Sequence, residues 1–75
     1  MNFSKDLSLL IKQYRIKKEM SQGDLARKIA LNPSAISKIE SGKSQPLAET
    51  VLKIVLVLNI PLMEIRRLAK KELIK

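Results

Sequence analysis

Apolar residues recur along this chain three and four positions apart and never in sustained alternation. Leu7, Leu10, Ile11 and Tyr14 fall on one helical face, as do Leu25, Ala26 and Ile29. The same spacing returns at Ile36 and Ile39, at Val51, Ile54, Val55 and Leu58, and at Leu62, Ile65, Leu68, Ala69 and Leu73. A period near 3.6 in every segment predicts amphipathic helices and no strands. Glycine and proline are few and divide the chain into five such segments. The expected fold is all-α, a compact five-helix bundle. Helix 1 is expected from about Lys5 to Lys18 with Ser4 as its cap, and helix 2 from just after Ser21 to near Ala30. Helix 3 should run from Pro33 until Gly42 stops it, helix 4 from after Pro46 to about Leu58, and helix 5 from Pro61 or Leu62 onward.

The entries to helices 2 and 3 carry capping signals. Ser21 and Asp24 stand at the cap and third positions, an acidic form of the capping box, and Met20 and Leu25 have the spacing of a hydrophobic staple. Asn32 is a good cap, Pro33 suits the first helical position, and Leu31 can staple to Ile36. Only residues 30–32 separate the two segments. Two short helices joined by a short turn form a helix-turn-helix arrangement.

Composition narrows the chemistry. The chain has 75 residues, enough for one domain; its core is expected over about residues 5–68, with a basic helix end over 66–75. Cysteine and histidine are absent, so no disulfide, thiolate metal site or histidine catalysis is expected. No catalytic set, metal or cofactor is expected, nor a small-molecule ligand. One Tyr, one Phe and no Trp make a poor stacking platform for single strands. The net charge of +8, from 15 Lys and Arg against 7 Asp and Glu, points to a polyanionic partner. No signal peptide is read at the start, and the longest apolar run is far short of the ~20 residues of a membrane span, so a cytoplasmic protein is expected.

Helix 3 has the most informative faces. Ile36 and Ile39 point inward, and Glu40, four residues after Ile36, follows them. Pro33, Ser34, Ser37, Lys38 and Ser41 make the opposite stripe, with a single long side chain among them. A helix that enters the major groove, about 12 Å wide, needs a slim outer face. Serine can bond a base edge or a phosphate, and lysine can donate to the O6 and N7 of guanine. Gln22, first in helix 2, is placed to meet a phosphate. Glu40 on the inner side needs a cation. Arg15, at the edge of the buried face of helix 1, is the expected partner.

These residues resemble the Cro and phage-repressor family, also called XRE-like. The resemblance lies in Ser21-Gln22, Leu25-Ala26, Ile36-Ser37-Lys38-Ile39-Glu40-Ser41-Gly42-Lys43, Pro46 and Glu49-Thr50-Val51-Leu52-Lys53-Ile54, and spans about residues 7 to 65. It implies base contacts from Ser34, Ser37 and Lys38 with Pro33 at their edge. It implies phosphate contacts from Gln22 and Lys43, which Ser41 and Ser44 would join. An arginine–glutamate pair like Arg15 and Glu40 also occurs in the family. Two departures stand out: Glu19 and Ala30 occupy positions where the family usually has glycine, so the turns are expected to differ in detail.

Helix 4 is apolar almost all round, which predicts burial on most sides. Leu56 is not explained by that, and Leu9 and Ile16 are surplus on helix 1. Leu56, Leu62 and Met63 are the expected contact of a homodimer, as the resemblance also implies. The expected function is a sequence-specific regulator of double-stranded DNA, bacterial or phage-encoded, acting as a small dimeric repressor. The alternative is an antitoxin-like protein-interaction module of the same fold.

Overall fold

A computed structural model describes residues 3–73. Five α-helices follow one another among them, with no strand: α1 (Phe3–Lys17), α2 (Gln22–Lys28), α3 (Pro33–Glu40), α4 (Ala48–Leu58) and α5 (Leu62–Leu73). The all-α, five-helix expectation holds. One core unites them. Ile11 of α1, Leu25 of α2, Ile36 of α3, and Ile54 and Leu58 of α4 are fully buried at its centre. Each such side chain contributes roughly 1.5–3 kcal/mol by leaving water. α2 and α3 form the closest helix pair, while α5 docks chiefly on α1 and adds Leu68 to the core.

Three boundaries or burials differ from expectation. α1 already starts at Phe3, so Ser4 lies inside the helix and does not cap it. α2 ends at Lys28, because Ile29 and Ala30 leave helical geometry to form the turn. α4 is not buried on most sides: Leu52 and Leu56 are 66% and 79% exposed. Since α5 lies mainly against α1, the outer face of α4 has no helix over it.

The four connections share one device. After α1, Met20 N–H donates to Arg15 C=O (3.1 Å) and Glu19 N–H to Ile16 C=O (2.9 Å). After α2, Leu31 N–H donates to Ala26 C=O and Ala30 N–H to Arg27 C=O. Lys43 and Gly42 repeat the pattern on Lys38 and Ile39, and Ile60 and Asn59 on Val55 and Leu56. This is the Schellman closure, which requires one left-handed residue and satisfies the last carbonyls of the helix. Glu19 (φ 57°), Ala30 (φ 59°), Gly42 (φ 79°) and Asn59 (φ 54°) are those residues. The turns at Glu19 and Ala30 therefore keep left-handed backbone without glycine, contrary to the expectation that they would depart from it. Packing of Met20 against the core and the paired closing bonds hold them there.

A left-handed backbone costs a residue with a side chain about 1–2 kcal/mol. Glycine gives some of this back by loosening the unfolded chain. Glu19→Gly and Ala30→Gly should each raise unfolding free energy by roughly 0.5–1 kcal/mol in urea denaturation. Gly42→Ala should lower it by about 1 kcal/mol through backbone strain alone, since nothing lies within 4 Å of a Cβ there.

Candidate nucleic-acid interface

α3 is held on its inner side by apolar packing and by one ionic cluster. Ile36 is fully buried and Ile39 nearly so. One turn further along that side, the Glu40 carboxylate is 3% exposed and meets Arg15, whose side chain is 11% exposed. Arg15 Nε donates to Glu40 Oε2 at 2.6 Å and Nη2 to Oε1 at 3.1 Å, a two-pronged pairing. The third arm, Nη1, donates to the Met20 carbonyl at 2.6 Å. A single guanidinium thus ties α1, the turn before α2 and the end of α3. Arginine suits this because its planar fork fits a carboxylate with both oxygens engaged.

Gln22 joins the same cluster. Its Nε2 donates to Glu40 Oε1 at 3.2 Å, and the residue is part-buried. That contact was not read from the sequence, which placed Gln22 toward a phosphate only. The bond to Glu40 occupies one amide hydrogen and leaves the other available to an outside acceptor. Before it, Ser21 caps α2: Ser21 Oγ accepts from Asp24 N–H at 2.9 Å, and Asp24 Oδ2 accepts from Ser21 N–H at 3.0 Å. The Ser21 backbone N–H and then its hydroxyl hold the Asp24 carboxyl below its ordinary value of 3.8, and Arg27 adds to this through a salt bridge.

The outer stripe of α3 is exposed along its length: Pro33, Ser34, Ser37, Lys38 and Ser41 all face solvent, with Ala35 half-buried beside them. Asn32 caps the helix, accepting from Ala35 N–H at 2.8 Å and from the Ser34 hydroxyl at 3.2 Å. The loop after α3 is fixed by one acceptor. The Lys38 carbonyl takes hydrogen bonds from Lys43 N–H (2.9 Å), Ser44 N–H (3.2 Å) and Ser41 Oγ (3.2 Å). The structure therefore brings Lys38, Ser41, Lys43 and Ser44 into one cluster at the end of α3. Gly42, left-handed and without a side chain, makes the reversal between them.

Leu56, Leu62 and Met63 lie elsewhere, on α4 and α5, at 79%, 77% and 77% exposure. Leu52, one turn before Leu56, belongs with them. Its spacing of four from Leu56 was the signal that could have found it. Among the described residues there is no cluster of acidic side chains able to hold a metal ion, and no helix long and apolar enough to cross a membrane.

A short capped helix, anchored on its inner face and following a second short helix across a tight turn, defines a helix-turn-helix protein. The chain belongs to the helix-turn-helix family of the Cro and XRE-like kind, whose pattern, described as Helix-turn-helix, it matches over residues 11–65. That family is one of DNA-binding regulators. No curated protein and no solved structure matches the chain.

Breaking the ionic cluster from one side strands the other charge in the core. Arg15→Met should cost about 3–5 kcal/mol, read from the urea midpoint at constant slope. Replacing both partners, Arg15→Met with Glu40→Leu, should recover part of that loss. Asp24 gives a pH signature. Its folded pKa is depressed, so its stabilisation is complete above its unfolded value and disappears as pH falls through the lower folded value. Thermal scans from neutral to acid should show this decline in the wild type and a shallower one in Asp24→Asn.

Proposed function

We propose that the protein is a sequence-specific regulator of double-stranded DNA that lays α3 in the major groove. The observation that carries this reading is the slim, polar outer face of α3, set on a helix whose inner face is locked by Ile36, Ile39 and the Arg15–Glu40 pair. Ser34, Ser37 and Lys38 reach base edges, with Pro33 at the margin and Lys38 donating to guanine. Gln22 on one side and Lys43, Ser41 and Ser44 on the other take phosphates and set the register. The Ser34 hydroxyl turns from Asn32 to a base when DNA arrives.

α3 is eight residues long, about 12 Å, and reads one half-site. A dimer through Leu52, Leu56, Leu62 and Met63 places two copies about 34 Å apart on a near-palindrome. The outer face of α4 suits this because its nearest charges, Glu49 and Lys53, pair at 3.5 Å. Occupying a promoter in this way represses it without chemistry, in the cytoplasm of a bacterial host. The same exposed leucines would also serve the alternative, a module that binds an antitoxin-type protein partner with little DNA specificity.

Selection of bound sites from random duplexes near physiological salt separates the two. A near-palindrome with half-sites about ten base pairs apart is the expected result, and unselected sequence would contradict the reading. Lys38→Ala should lose about 1–3 kcal/mol of preference at defined positions, whereas Lys43→Ala should weaken all sequences alike and lower the salt dependence. Leu52→Glu with Leu56→Glu should convert the free protein to a monomer in sedimentation while leaving helical content unchanged.

A further inference from the structure

Two apolar side chains on α1 remain outside both the core and the reading face. Leu9 and Ile16 are each 55% exposed, seven residues and about 10 Å apart along the helix. They point away from the face that meets α3, α4 and α5, where Leu7, Leu10 and Ile11 are buried. Lys5 and Lys12 flank them, both exposed. A cavity of about 420 Å³ opens beside Leu9, between those lysines and the Ser41–Gly42 end of α3. Its carboxylates are Asp6 and Glu40, and the Glu40 charge is already matched by Arg15.

We propose that this stripe of α1 is a docking surface for an acidic amphipathic helix from another protein. Apolar residues at positions i and i+7 of a partner helix match the spacing of Leu9 and Ile16, and the cavity takes a side chain at one end. The charges choose among occupants. A second copy would set Lys5 and Lys12 against their own kind, and like charges across an interface disfavour association. The α4 face differs, since its Glu49–Lys53 pair leaves no such repulsion. An anionic membrane would need a continuous apolar face, and two residues do not supply one. A helix with glutamates beside its apolar stripe satisfies both the leucine–isoleucine spacing and the lysines. Bound there, the partner leaves the outer face of α3 uncovered, so the inference is separate from DNA reading.

The test uses the full chain and a displayed library of 18-residue helical peptides. Leucine is fixed along one face, and the flanking positions vary among Glu, Gln and Lys. The expected winners carry Glu on the flanks and bind the wild type at least tenfold more tightly than Leu9→Ser with Ile16→Ser. Lys12→Glu should shift the winners toward Lys on the flank it faces. Both replaced side chains are more than half exposed, and circular dichroism checks that the helices persist. Winners without charge preference, or with equal affinity for the double variant, would overturn the proposal. So would loss of self-association in the double variant, which would assign the stripe to a second copy, or Leu9- and Ile16-dependent binding to phosphatidylglycerol vesicles. If the double variant lost binding to selected duplex DNA, the stripe would belong to DNA reading and the proposal would fall. Failure of the wild type to select any duplex leaves the peptide result standing by itself.

Discussion

A carboxylate sealed inside so small a protein is tolerable only with a cation locked against it, and the placement of α3 depends on that lock. Glu40 sits on the inner side of α3, and both of its oxygens are bound by Arg15. Apolar contacts at Ile36 and Ile39 hold α3 down but are non-directional. The guanidinium adds direction. It fixes the rotation of α3 about its own axis, and with it which side chains face outward. Because Arg15 also grips the Met20 carbonyl and Glu40 also accepts from Gln22, the entry to α2 is set by the same charges. The reading helix and the phosphate-facing glutamine therefore share one positional reference.

The ends of the helices complete this geometry. Each of the first four closes with a left-handed residue and a pair of backbone bonds that turn the chain sharply. At α3 this closure places Lys43 and Ser44 against the Lys38 carbonyl, so a base-reading lysine and a phosphate-binding lysine are linked through one acceptor. Side chains for the groove and side chains for the backbone are thus presented together by a segment with little freedom to move them apart. Gln22, Lys38 and Lys43 need no rearrangement of helices to meet a duplex. Such preorganisation reduces the ordering cost of association.

Much of the fold was legible because its signals are local. Spacing of apolar residues gave five helices, and the Ser21–Asp24 and Asn32–Pro33 signals gave the entries to α2 and α3. The Arg15–Glu40 pair was legible too, since a carboxylate on an apolar face demands a partner and few cations lie at the edge of a buried one. What escaped depended on how helices pack. The contact between Gln22 and Glu40 joins residues eighteen apart in sequence, and no local pattern encodes it. The burial of α4 was overestimated because periodicity cannot say that α5 leans on α1 and leaves Leu52 and Leu56 uncovered. Left-handed Glu19 and Ala30 were obscured by their side chains: composition favours glycine there, while the closing bonds and the packing around Met20 impose the conformation regardless.

The central claim is that the outer face of α3, as oriented by the Arg15–Glu40 pair, is what meets DNA. Backbone amide chemical shifts recorded while titrating a selected duplex test it most directly. The account predicts a footprint on residues 33–38, on Gln22, and on Ser41, Lys43 and Ser44, with Leu9 and Ile16 unperturbed. A footprint centred on α5 or on the outer stripe of α1, with α3 silent, would contradict it.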